Sequence, residues 1–127
     1  MHTLEGHTSY SLSFSPDNTR LVSCSYDQSI RLWNPTEGTL LETVDDAHTD
    51  KIEFVAHSPN GNMIASGCFG GAIMIWDART LKLKFAIDDA HSSVVNELSF
   101  TLTGPFLLSA SSDSTAKVTK IALPTAT

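Results

Sequence analysis

The sequence predicts an all-β protein built from three copies of one short antiparallel unit, and two observations carry that prediction. The tetrapeptide DDAH stands at residues 45–48 and again at 88–91, 43 residues apart, an offset in the range that marks a structural repeat. Sliding the chain by the same offset lays SFSPDNTRLVSCSYDQSIRLWN (13–34) over AHSPNGNMIASGCFGGAIMIWD (56–77), and that over SFTLTGPFLLSASSDSTAKVTK (99–120).

Each copy opens on a short apolar stretch: Leu12 and Phe14, then Ile52, Phe54 and Val55, then Val94, Val95, Leu98 and Phe100. A turn rich in Pro, Asp, Asn or Gly follows, the chemistry that separates strands. Two strand-like runs come next, RLVSCSY and SIRLW, then MIASGCF and AIMIW, then FLLSASS and TAKVTK. A fourth run, TLLETV after the first copy and LKLKFAI after the second, leads to the next. No helical 3.6-residue period competes over a comparable length. The organisation is four short antiparallel strands per unit and almost three units, spanning about 6–44, 47–87 and 90–123, without a linker or a low-complexity segment.

Composition narrows the function. The chain has 127 residues and 41% apolar residues, enough for one folded core and too many for a disordered segment. Eight Lys and Arg stand against 14 Asp and Glu, a net charge of −6, with no basic cluster; nucleic acid and anionic membranes are therefore disfavoured as partners. The start MHTLEGHTSY has neither the basic nor the apolar region of a secretory signal, and no run approaches the ~18 apolar residues of a membrane span. The chain reads as cytoplasmic, with the nucleus also open. Cys24 and Cys68 lie outside any CxxC pair and are expected to be free thiols.

The same residues carry a family resemblance. A Gly/Ala-His pair, a Ser-Pro-Asp/Asn turn, Ser-x-Ser-x-Asp and a run ending in Trp-Asp are matched by GH at 6–7, SPDN, SCSYD and LWN, then by AH at 47–48, SPNG and IWD. Over almost its whole length the chain resembles WD-repeat β-propeller proteins. The resemblance implies that each unit is a blade with strands a, b and c followed by an outer strand d. The fold is then a partial β-propeller of about three four-stranded antiparallel blades.

It also implies a role for DDAH. In the family, the repeat His sits in the loop entering strand a and bonds the Asp between strands b and c, while a strand-b Ser links that pair to the Trp. His48 and His91 are those histidines by position, so Asp45, Asp46, Asp88 and Asp89 are solvated loop residues. Two identical copies on separate blades do not converge on one metal-ligand set. The carried-over network differs in each repeat. The first has His7, Ser25, Asp27 and Trp33, but only five steps part His7 from Leu12 where seven part His48 from Val55. The second has His48 and Trp76 but Cys68 for the Ser and Gly70 for the Asp, which is expected to leave the indole without its best acceptor. The third has His91, Ser111 and Asp113, with Thr119 and Lys120 in place of Trp-Asp.

Three blades fall short of the four to eight that close a ring, so the apolar faces of the end blades are expected to be exposed and prone to self-association. The chain then reads as part of a longer propeller or as one subunit of an assembled one. No catalytic pattern accompanies the fold. GCFGG at 67–71 lacks the Lys-Ser/Thr of a phosphate loop and sits in a turn, no Ser lies in a nucleophile elbow, and His57 falls at the packing position of Phe14 and Phe100. Lys82 and Lys84 alternate along an outer strand, as edge-protecting charges do. The expected function is a non-catalytic, cofactor-free protein-interaction scaffold. In the family, the residue before the repeat Asp often faces partners, a position held here by Tyr26, Phe69 and Ser112. Two alternative readings rest on weaker resemblances: the first repeat is similar to arrays behind nucleotide-binding switch domains of fungal innate sensors, and AKVTKI to the last blade of membrane-bound exchange factors for a secretory-coat small GTPase.

Overall fold

The computed structural model describes residues 1–6, 9–103 and 105–121. Its first sheet runs in the order β1 (Ser9–Phe14), β2 (Leu21–Ser25), β3 (Ile30–Asn34), β4 (Thr39–Val44). The second repeats that order with β5 (Ile52–His57), β6 (Met63–Cys68), β7 (Ile73–Asp77) and β8 (Leu83–Ile87). The third holds β9 (Val95–Phe100), β10 (Phe106–Ser111) and β11 (Ala116–Lys120). Every pairing is antiparallel. The third blade thus has three strands among the described residues.

The tight turns repeat in backbone as well as in sequence. Between the second and third strands of each blade one residue takes a left-handed conformation: Gln28 (φ 74), Gly71 (φ 91) and Ser114 (φ 72). Only the middle one has to be glycine. A Cβ on Gly71 would fall 2.0 Å from the carbonyl oxygen of His91, so GCFGG is shaped by the close approach of the next blade. Gly67 serves the same contact, since a Cβ there would meet Val95 Cγ1 at 2.6 Å.

Strand alternation fills two interfaces between blades. Val22, Cys24, Ile30 and Leu32 of blade 1 close on Ile52, Val55, Ile64 and Trp76 of blade 2. On the other face of blade 2, Met63, Ala65, Ile73 and Ile75 close on Val95, Leu98 and Leu107. The first strands β1, β5 and β9 stand side by side, and Ser13 Oγ accepts the backbone N–H of His57 at 3.0 Å. Both cysteines are free and buried, and burial pushes the Cys24 thiol up to about 12. The arc ends on apolar faces: Leu12 and Phe14 of blade 1 are 59% and 54% exposed, Leu108 and Val118 of blade 3 are 40% and 67%. Among the described residues no helix is long and apolar enough to cross a membrane.

Candidate functional site

Antiparallel pairing sends the a–b and c–d turns to one rim and the b–c turns with the d–a loops to the other. On the second rim the b–c turns are laced to the d–a loops: Ala47 N–H bonds Gln28 O at 2.9 Å, Phe69 N–H bonds Lys51 O at 2.8 Å, and His91 N–H bonds Gly71 O at 3.0 Å. Beneath that lacing lies a row of serine, histidine and tryptophan.

The serines of the row are Ser23, Ser66 and Ser109. Trp33 Nε1 donates to Ser23 Oγ at 2.9 Å, and Trp76 Nε1 donates to Ser66 Oγ at 2.8 Å. His48 Nε2 lies 2.6 Å from Ser66 Oγ, and His91 Nε2 lies 2.8 Å from Ser109 Oγ. The sequence expectation of Ser25 and Ser111, with Cys68 between them, is corrected by one pleat. Leu21 pairs with Trp33 and Ile64 with Trp76, so the residue two steps along the same face, 23 or 66, lies beside the indole. Ser25 and Ser111 are beyond reach at the strand ends, where each accepts the N–H of its turn Asp, from Asp27 at 3.0 Å and Asp113 at 3.1 Å. A signal for the right serine was present, since the position of Ser23, Ser66 and Ser109 is serine in all three copies, whereas that of Ser25, Cys68 and Ser111 is not. The expectation that Trp76 lacks an acceptor falls with the correction.

Blade 3 holds the fullest version of the His–Asp contact. His91 Nδ1 meets Asp113 Oδ2 at 2.9 Å and Thr115 Oγ1 at 3.1 Å. Hydrogen bonds from Thr115 first, and from His91 after it, hold the Asp113 carboxyl well below the usual carboxylate range. In blade 1, Asp27 accepts the N–H of Ser29 at 2.9 Å, and its hydroxyl as well. His7 lies outside the described residues.

Blade 2 has an incomplete row. An indole only donates, so Ser66 Oγ accepts from Trp76. When the Ser66 O–H donates to His48 Nε2, the His48 proton sits on Nδ1, a buried atom with no partner among the described residues. Gly70 stands where Asp113 stands in blade 3. His48 is 2% exposed, and burial lowers its pKa to about 4. Gly70 is not left-handed, and a Cβ there finds its nearest atom, Asp50 Oδ2, at an ordinary 3.6 Å. Gly70→Asp is therefore expected to stabilise the fold by about 1–2 kcal/mol, through a charge-assisted bond to a buried donor and a stiffer unfolded chain, trimmed by repulsion from Asp50. Urea denaturation measures the gain, and an NMR titration of the His48 ring should show its pKa rising.

Tyr26 and Phe69 meet at the rim. Their ring centroids are 5.2 Å apart at 83°, an edge-to-face pair. Lys51 Nζ lies 5.6 Å from each centroid, and Tyr26 O–H donates to Glu53 Oε2 at 3.3 Å. At this partner-facing position both rings are half-buried rather than fully exposed, because each covers the other. Ser112 is exposed, and its Oγ accepts from Asn96 Nδ2 at 2.8 Å. Among the described residues no group of three or more His, Cys, Asp or Glu side chains could hold a metal ion.

Comparison with known proteins decides the family. The family described as WD domain, G-beta repeat matches residues 1–34, 38–77 and 82–119. The chain belongs to the WD40 repeat family. Its fold is similar to that in "Crystal structure of RRP9 WD40 repeats", with a TM-score of 0.88 and 28% identity over 93% of this chain and 37% of that one. "Structure of U3-55K" gives 0.88 and 27%, covering 93% and 38%. Striatin-4 of Homo sapiens is 45% identical over 40 residues, 30% of this chain and 5% of the relative. Striatin-4 of Mus musculus is 49% identical over 37 residues, 28% and 5%. The chain thus spans a small part of these curated relatives and well under half of these solved structures. WD40 domains mediate protein–protein interaction, and no enzymatic family is indicated.

Proposed function

We propose that this chain is a protein-interaction scaffold without catalytic activity, forming one arc of a larger WD40 propeller. Its partner surface is the rim of b–c turns and d–a loops, centred on Tyr26 and Phe69 with Ser112 one blade on. The observation that carries the reading is the edge-to-face pair itself. Two rings fixed by each other and roofed by Lys51 lose little entropy on binding, and aromatic residues of this kind anchor interfaces. The exposed end faces at Leu12 and Phe14, and at Leu108 and Val118, support the larger ring, because packed neighbours would cover them as blades 1 and 3 cover the faces of blade 2. With a net charge of −6, protein is a better match than nucleic acid or an anionic membrane; the proposed compartment is the cytoplasm, with the nucleus also open. The innate-sensor and exchange-factor readings gain no support from these relatives.

The Tyr26→Ala, Phe69→Ala double variant tests this. It should lose most partner capture while losing only about 1 kcal/mol of stability, the worth of one half-buried aromatic pair. Full capture by a folded double variant would move the binding face elsewhere.

A further inference from the structure

The opposite rim carries a second surface that the family signature does not encode. Between blades 1 and 2 the a–b turns and the c–d turn of blade 2 border a cleft of about 480 Å³, walled by Arg20, Arg79, His57, Asp17 and Asn60. Between blades 2 and 3 the equivalent groove, about 230 Å³, is walled by Met63, Pro59, Phe100, Leu102 and Pro105. The two are related by the 43-residue repeat, yet their chemistry differs because His57 in the first falls where Phe100 lies in the second. They are also contiguous, since Asn60 lines both.

Charge distinguishes the first cleft. The chain holds three arginines, and two of them line this cleft. Both are exposed, and neither guanidinium meets a carboxylate within salt-bridge distance among the described residues. The one acid there, Asp17, turns its Oδ1 to its own turn, accepting from Ser15 Oγ at 2.7 Å, from Thr19 Oγ1 at 2.7 Å and from Thr19 N–H at 3.0 Å. The second groove offers the opposite character, with Leu102 85% exposed at its edge.

We propose that this rim binds an extended peptide segment of a partner protein, whose Asp or Glu side chain sits between Arg20 and Arg79 and whose apolar side chain, a few residues away, sits on Phe100 and Leu102. Planar guanidinium groups favour a carboxylate, and an apolar groove one blade further favours an apolar neighbour over a second charge. A nucleic acid strand would meet the remaining negative surface of the chain.

The test uses the full chain and a phage library of short random peptides, with Arg20→Glu, Arg79→Glu protein as the counter-selection. Peptides that the natural chain retains and the variant does not should carry an acid followed or preceded, within a few residues, by Leu, Ile, Phe or Pro. A fluorescein-labelled synthetic copy of one such peptide should bind about ten-fold more weakly to Arg79→Glu, and more weakly to Leu102→Ala. It should also weaken when its own acid becomes Gln. Both Arg79 and Leu102 are exposed, so circular dichroism should show both variants folded. Tyr26→Ala, Phe69→Ala protein should bind the peptide unchanged, which separates this surface from the other rim. Selected peptides without an acid, equal binding to Arg79→Glu, or binding only by a phosphoserine version of the peptide would each overturn the proposal.

Discussion

Replacing Trp76 by alanine is expected to destabilise the protein by about 3–5 kcal/mol, the largest effect of any single substitution considered. Trp76 is 4% exposed and belongs to the cluster that joins blades 1 and 2, so its removal opens a cavity at the seam and not inside one sheet. It also strips Ser66 of the indole donor that orients its hydroxyl towards His48. Trp76→Phe separates the two contributions: it keeps most of the volume and should lose about 1 kcal/mol, the worth of the hydrogen bond. Trp33→Ala is the useful comparison. Trp33 is as buried as Trp76 and has the same kind of Ser partner, but it belongs to neither inter-blade cluster. Its loss should be smaller than that of Trp76. Urea unfolding followed by far-UV circular dichroism measures all three, and an equal loss for both alanine variants would contradict the seam's role.

The second large effect is acid sensitivity. His48 titrates near 4 in the folded protein because burial opposes its charge, whereas an unfolded histidine titrates near 6.5. Below about pH 6.5 the unfolded chain therefore takes up a proton that the fold refuses. Stability is full above that pH, falls as the pH drops towards 4, and loses on the order of 3 kcal/mol across the window. Burial also lowers His57, with the same sign. The carboxylates act in a separate window. Asp17, held at about 2 chiefly by the Thr19 and Ser15 hydrogen bonds, and Asp113, held low by Thr115 and His91, lose their contribution only below about pH 4. Unfolding free energies measured from pH 7.5 to 4 should show the histidine step, and Gly70→Asp should shrink it by raising His48. A flat profile down to pH 4 would mean that His48 accepts its proton without cost.

The fold was legible because its signals are local and repeated. SPDN, SPNG and the 43-residue echo set the strand order of all three blades, and turn chemistry at 25–30, 68–73 and 111–116 set their hairpins. The hydrogen-bond row was legible only in part. Strand alternation puts residues 23 and 25 on the same face, so composition alone does not say which serine an indole reaches. The answer depends on register, in which Trp33 pairs with Leu21. Tyr26 and Phe69 were legible as occupants of one rim, but their contact was not, because it joins residues from two blades whose separation the sequence does not give. The two clefts on the opposite rim were illegible for the same reason: Arg20 and Arg79 come from different repeats and different turns.

Site-specific photo-crosslinking most directly tests the proposed partner surface around Tyr26 and Phe69. A benzophenone amino acid placed at Phe69 in the expressed protein should give discrete protein adducts under ultraviolet light. The same probe at Thr43, exposed on the outer strand β4, should give none of them. Adducts at Thr43 that match those at Phe69, or a folded Phe69 probe protein that forms none, would contradict the account.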